Sequence, residues 1–389
     1  MWRRWCAGRP NPSRCALSTE PKLTVTRPDL PPLADLMPAL EALWESRQLT
    51  NNGPFHQQLE RALCEFLDVP ELALFCNGTI ALLAALRALD LEEGEVITTP
   101  FSFVATTHAL RWAGLRPVFA DIDPVTLNLD PERVAALITP RTRALLPVHV
   151  YGRPCDTAAL DALAARHGLK VLYDAAHAFG VRAPGLLRAG ELSVLSLHAT
   201  KVFHTFEGGA VICRDAAMKR RLQQIRNFGF VDELTVDSVG INGKLNELQA
   251  AIGLLQLPRY EANNQQRAAV DAAYRAGLAG LPGLTLPPST DPLSHNHSYF
   301  PVRVQAGFVC SRDTLYERLK QQGILTRRYF HPLISRFPMY AELPSAQPDH
   351  LPVATQAAQE VLCLPLYAGM GVADTARVID AIRALARTG

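Results

Sequence analysis

Lys170-Val171-Leu172-Tyr173-Asp174-Ala175-Ala176-His177 and, a little further on, Leu192-Ser193-Val194-Leu195-Ser196-Leu197-His198-Ala199-Thr200-Lys201 are the stretches that decide the fold. Each opens as a mainly apolar run of strand length and closes on polar residues, an acid in the first and a lysine in the second. Outward toward the amino terminus, short strand-like runs alternate with helical ones. Leu72 to Phe75 reads as strand, Ile80 to Leu91 as helix, Glu95 to Thr98 as strand, Phe103 to Ala113 as helix and Pro117 to Ala120 as strand. A helix from Pro131, a strand from Ala144 to Val150, a helix from Asp156 to His167 and the strand Lys170 to Asp174 continue the series. Such alternation predicts right-handed βαβ units around a mostly parallel sheet, an α/β fold. Leu192 to His198 and Ala210 to Cys213 then follow with little helix between them, so the sheet is expected to be mixed there.

Beyond Leu257-Pro258 the pattern changes. Glu261 to Leu278 is a long helical stretch, and Pro282, Pro287, Pro288 and Pro292 punctuate a loop. A strand near Tyr299 to Val304 and helices near Thr314 to Gln322 and Val372 to Ala386 complete the chain. These features divide it into a tail (1–22), a large domain (23–257) and a smaller carboxy-terminal α/β domain (258–389). The tail carries Arg3, Arg4, Arg9 and Arg14 and has no acid before Glu20. It reads as a disordered extension, a start codon placed upstream of the true one, or a targeting peptide, although it lacks the apolar stretch of a secretory signal.

Composition narrows the function classes. The 389 residues carry 39 Lys+Arg against 37 Asp+Glu, a formal charge of +2, which argues against a nucleic-acid or membrane-surface protein. No apolar run approaches the roughly 18 to 20 residues that cross a bilayer. The eight cysteines lie far apart with no C-x-x-C pair, so they read as reduced thiols of a cytoplasmic protein rather than a disulfide or zinc framework. There is no G-x-G-x-x-G after a strand and no P-loop. His295-x-His297 lacks the further ligands of a metal site.

Parallel sheets place ligands at the carboxyl ends of their strands. Asp174 stands at one such end, and Lys201 just past another, 27 residues later. Read singly, Asp174 is a cap or turn residue and Lys201 a solvated loop lysine. Read together, they fit pyridoxal phosphate, whose aldehyde condenses with a lysine amine and whose ring nitrogen needs a carboxylate to stay protonated. Asn77-Gly78-Thr79 at a helix start offers free N–H groups and a hydroxyl for a phosphate, with a plain helix cap as the alternative. Ser196 adds a second hydroxyl. Phe103 is placed to stack on a ring, or else is a core residue.

Several further segments appear in family order: Leu49-Thr50-Asn51-Asn52-Gly53-Pro54, Pro100-Phe101-Ser102-Phe103-Val104-Ala105-Thr106, Arg226-Asn227-Phe228-Gly229 and Gly240-Ile241-Asn242-Gly243-Lys244-Leu245-Asn246-Glu247. With the motifs above, the sequence resembles the DegT/StrS-type sugar aminotransferases, pyridoxal-phosphate enzymes of fold type I. The resemblance covers the chain from about Lys22 onward. It implies that Lys201 binds the cofactor covalently, Asp174 holds the pyridine nitrogen, and His177, where relatives often carry Gln, lies near the ring oxygen. Phe103 would stack, and Gly78, Thr79 and Ser196 would hold the phosphate. Asn242 and Lys244 would reach the phosphate site of a neighbouring subunit in a homodimer, Lys244 standing where many relatives have Arg. It also implies cytoplasmic deoxyamino-sugar and polysaccharide biosynthesis, with L-glutamate as amino donor and a nucleotide-linked keto sugar as acceptor. Thr200 to Gly209 and Arg328 to Leu333 look most like members that convert a dTDP-4-keto sugar to dTDP-4-amino-4,6-dideoxyglucose, except that His204 stands where those often have Asn. Tyr329 and His331 are the candidates for substrate contact. The alternatives are a 3-aminotransferase, a dehydratase, in which the lysine would be His, and a regulatory paralogue, which would have lost part of the cofactor set.

Overall fold

The computed structural model describes residues 22–289, 291 and 294–387. The amino-terminal tail, and the reading placed on it, lie outside the described residues. The chain begins with β1 (Leu23–Thr24), then lays down β2 (Glu71–Phe75), β3 (Glu95–Thr98), β4 (Arg116–Phe119), β5 (Thr142–Leu146), β6 (Lys170–Asp174), β7 (Leu192–Ser196) and β8 (Gly209–Cys213). Strands β2 to β8 form one seven-stranded sheet in the order β2-β8-β7-β6-β5-β3-β4. Both neighbours of β8 run antiparallel to it, and the remaining pairs are parallel. The expected mixed topology therefore comes down to one reversed strand.

The strands read as apolar runs because helices cover both faces of the sheet. Ala73 and Phe75 face one side, with Ala81, Ala84 and Ala85 of the helix Gly78–Ala88. Leu72 and Leu74, one residue out of phase, face the other side with Leu59 and Leu63 of the helix Pro54–Leu67. Alanines on the Gly78–Ala88 helix let it lie close to the sheet.

After the short turn Leu257–Arg259 and the helix Tyr260–Leu278 come β9 (Leu284–Thr285), β10 (Phe300–Val304), β11 (Ile324–Leu325) and β12 (Val361–Leu364). β9, β10 and β12 make a separate antiparallel sheet. We propose 257/258 as the domain division. The amino-terminal segment crosses it: β1 pairs in parallel with β11, and Leu23 is buried beside Val302, Ile324 and Leu364.

Two strand ends fall two or more residues short of their sequence reading, both next to the ligand edge. The run from Ala144 ends at Leu146, because Pro147 has no N–H to donate to a ladder. The run from Leu192 ends at Ser196. His198 then closes a turn, its Nδ1 accepting from the Thr200 amide (3.2 Å) and its carbonyl from the Lys201 amide (2.8 Å).

A buried ionic cluster ties the helix Pro54–Leu67 to the sheet. Glu60, 4% exposed, accepts from Arg226 Nη1 (3.1 Å) and from the Leu74 amide (3.1 Å), and His56 lies 3.1 Å away. Burial alone would raise the Glu60 pKa, but the His56 hydrogen bond and the charges of Arg226, His56 and Lys219 outweigh it and hold the carboxyl at about 2. Because that value lies below the ordinary 4.5, the stabilisation is present above pH 4.5 and is lost as pH falls toward 2. Glu60→Gln leaves Arg226 uncompensated and is expected to cost roughly 3 kcal/mol or more at pH 7 by urea denaturation. The deficit relative to wild type narrows as the pH drops below the ordinary carboxylate value.

Candidate active site

Asp174 ends β6 and is 4% exposed. Thr106, in the first turn of the helix Ala105–Trp112, donates from Oγ1 to Asp174 Oδ2 (2.8 Å). Its single proton is then committed, so at 3.2 Å it accepts from Ser102 Oγ. The Ala176 amide donates to Asp174 Oδ1 (3.0 Å). Burial raises the Asp174 pKa above its ordinary value; the Thr106 hydroxyl, the Ala176 amide and the charge of Lys201 oppose the rise. The carboxylate is therefore fixed in orientation but only partly compensated, a state that a cation placed against it would relieve.

Lys201 and Asp174 line one cavity of about 300 Å³ at the carboxyl edge of the sheet, and neither a hydrogen bond nor an ion pair joins them. Burial lowers the Lys201 pKa from 10.5 to about 8, against the pull of Asp174. Gly78, Thr79, Phe103, His177 and Ser196 line the same cavity. At one end, Asn77 caps its helix by accepting from the Ile80 amide (2.9 Å), which leaves the first-turn amides of Gly78 and Thr79 without intrahelical acceptors. Gly78 lies close to the end of β7: a Cβ there would stand 3.2 Å from Ser196 Cβ, a tight contact. Gly209 seats the loop, since a Cβ there would meet the Asn77 carbonyl at 2.5 Å.

His177, 5% exposed, has Nδ1 accepting from the Tyr151 amide (3.3 Å), so its neutral ring carries the proton on Nε2. Burial, with Lys201 and His149, pushes its pKa far down and keeps it neutral. It thereby offers an N–H donor. Phe103 is 60% exposed, a large apolar ring left uncovered where a planar ligand would stack.

The other candidates divide between the cavity wall and its surroundings. Tyr329 lines the cavity, and its carbonyl accepts from the Tyr151 hydroxyl. His331 is exposed and outside the cavity lining, near Arg312, Asp313 and Arg328. Asn242 and Lys244 also lie away from this chain's cavity. Lys244 Nζ donates to Asn227 Oδ1 (3.0 Å) and stands 4.8 Å from the Phe228 ring centroid. His297 Nδ1 lies 3.4 Å from Asp271, and among the described residues no group of three or more metal-ligating side chains converges. His204 is buried, with Nε2 2.8 Å from the Asp29 carbonyl.

The sequence reading missed Thr106, Tyr299 and Phe330. The signal for Thr106 was its position three residues after Phe103, within reach of the same strand end. Tyr299 and Phe330, which flank the His177 ring (centroids 5.0 and 5.9 Å), come from distant segments with no local signature.

Residues 34–383 match the model of the DegT/DnrJ/EryC1/StrS aminotransferase family. The chain belongs to this family. A dTDP-4-amino-4,6-dideoxy-D-glucose transaminase of Escherichia coli is 50% identical over 348 residues, 89% of this chain and 94% of that protein. A crystal structure of DesI in the presence of its TDP-sugar product is 39% identical with a TM-score of 0.88, over 94% of this chain and 93% of that one. NtdA from Bacillus subtilis with bound cofactor PMP is 28% identical with a TM-score of 0.84, over 91% and 82%. The chain is thus a fold type I aminotransferase, and the aminotransferases of the DegT family depend on pyridoxal phosphate.

The residues present fit that cofactor. A half-compensated buried acid, a low-pKa lysine, an uncovered aromatic and a helix start packed closely against Ser196 lie around one cavity. Among the described residues no helix is long and apolar enough to cross a membrane. Because the Lys201 amine titrates near 8 rather than 10.5, the rate at which cofactor-free protein takes up the aldehyde is expected to rise with pH and level off above about 8. Stopped-flow absorbance across pH 6.5 to 10 reads this, on the order of a tenfold rise per unit in the lower part of the range.

Proposed function

We propose that this chain transfers an amino group from L-glutamate to dTDP-4-keto-6-deoxyglucose, giving dTDP-4-amino-4,6-dideoxyglucose. The observation that carries it is the placing of Lys201 and Asp174 around one cavity in a chain half identical to a transaminase named for that product. When bound, pyridoxal phosphate supplies an electron sink for the carbon that loses its proton. Asp174 holds the positive charge on the ring nitrogen. The Gly78 and Thr79 amides, the Thr79 hydroxyl and Ser196 bind the phosphate, and His177 donates Nε2–H toward the ring oxygen. Lys201, with its Nζ neutral, would take the proton from the donor's α-carbon and hold it for return in the same half-reaction. A pKa near 8 suits both directions of that movement. Tyr329, at the cavity wall, and His331, further out, are proposed to meet the sugar nucleotide.

The active unit is proposed to be a cytoplasmic homodimer. Phe228, Val231, Leu234, Val236, Val239 and Ile241 form an exposed apolar loop beside Asn242 and Lys244. A second subunit would cover that loop and receive Asn242 and Lys244 at its phosphate site. Light scattering is expected to give twice the 42.6 kDa chain mass. Lys244→Ala should weaken cofactor binding roughly tenfold while leaving that mass unchanged.

Lys201→Ala should remove both the cofactor's visible absorbance band and turnover; a purified variant that kept both would sink the assignment. Incubating the wild type with glutamate and nucleotide-linked 3-keto and 4-keto sugars should release 2-oxoglutarate chiefly with the dTDP-4-keto sugar. Release with a 3-keto sugar alone would move the product to the other ring position.

A further inference from the structure

Lys201 and Thr200 line a second, smaller cavity as well, of about 30 Å³, together with Arg27, Arg267, Ser298 and Tyr367. We propose that this cavity binds the carboxylate of the amino-acid donor, with Arg27 and Arg267 as its cationic partners. The proposal rests on the transaminase reading above and adds where the donor is recognised.

Charge is the first argument. Three cations, Arg27, Lys201 and Arg267, border the cavity against one carboxylate, Asp29. That carboxylate is already occupied: its Oδ2 accepts from Arg259 Nε and Nη2 (3.1 and 2.9 Å) and from Asn263 Nδ2 (2.9 Å). Arg267 is 4% exposed, yet its partners are neutral: Nε donates to the Asn296 carbonyl (3.1 Å) and Nη2 to Asn264 Oδ1 (3.2 Å). Among the described residues no carboxylate forms an ion pair with Arg267 or Arg27. Burying a guanidinium without a counter-ion is costly, and burial pushes the Arg267 pKa down to about 10. An anion delivered by a ligand would offset that cost.

Size and position agree. A water needs about 10–15 Å³ of such space, so 30 Å³ admits roughly two water-sized groups, the oxygen pair of one carboxylate. In an α-amino acid the carboxylate is one bond from the carbon whose proton Lys201 must remove, and this cavity is bordered by Lys201. A keto sugar carries no carboxylate, so the site separates donor from acceptor without a second binding mode.

The test uses cofactor-loaded wild type and Arg27→Gln, an exposed position where folding is not at stake. The two half-reactions are followed separately by absorbance. Arg27→Gln should raise KM for glutamate by roughly 10- to 100-fold and leave the sugar half-reaction unchanged. The wild type should prefer glutamate to 4-aminobutyrate, which lacks the α-carboxylate, and the variant should lose most of that preference; Arg27→Lys should restore part of it. Calorimetry should show weaker glutarate binding to Arg27→Gln. Arg267→Lys, with its fold checked by thermal melting, gives a second reading. If wild type transaminates with glutamate but neither variant moves KM or the preference, the carboxylate site is overturned and the transaminase reading stands. If wild type accepts no amino-acid donor, the transaminase reading fails and the site falls with it.

Discussion

The hydrogen bond from Thr106 to Asp174 is the constraint around which the site is arranged. It joins the helix that follows β3 to the end of β6 at the carboxyl edge of the sheet. Without it, and without the Ala176 amide, a carboxylate at 4% exposure would relax its burial cost by taking up a proton, and it could not hold a cationic ring nitrogen. The two bonds offset part of that cost and leave the rest for a ligand. Lys201 answers from β7: its turn, closed by His198, holds the amine in partly desolvated surroundings that bring its pKa within reach of neutrality. The acid is kept ionisable and the base kept dischargeable by one piece of architecture, two adjacent parallel strands ending side by side.

Much of this was legible in the sequence because it is local. Asp174 and Lys201 each terminate an apolar run, and strand ends in a parallel sheet share an edge, so their pairing follows from spacing. Asn77-Gly78-Thr79 declares a helix start by capping chemistry alone. Boundaries slipped where a single residue changes the hydrogen bonding, as at Pro147 and His198. What could not be read was set by tertiary approach. Tyr299 and Phe330 reach His177 from segments more than a hundred residues away, and the reversed β8 is a matter of topology rather than pattern. The pairing of β1 with β11 likewise joins the first described residues to the carboxy-terminal part, a contact that no local periodicity encodes.

The same division explains which predicted residues the single chain brings together. Those on the sheet edge, from Gly78 to Lys201, converge on one cavity, while Asn242 and Lys244 are held with Asn227 and Phe228 on an exposed apolar loop. The buried Arg226–Glu60 pair anchors the base of that loop, since Arg226 donates to Glu60 and to the Leu74 carbonyl of β2. A loop fixed at its root and carrying several exposed apolar side chains is suited to a packed surface rather than to solvent. The near-neutral charge of the chain conceals one local excess: Arg27, Lys201 and Arg267 border the smaller cavity against the single carboxylate of Asp29.

The most direct measurement is borohydride reduction of the cofactor-loaded protein, followed by digestion and mass spectrometry of the peptides. The account predicts a reduced pyridoxyl adduct on the peptide containing Lys201, abolished by prior replacement of Lys201 and unaffected by replacement of Lys244. An adduct on any other lysine, or none in protein that turns over substrate, would contradict it.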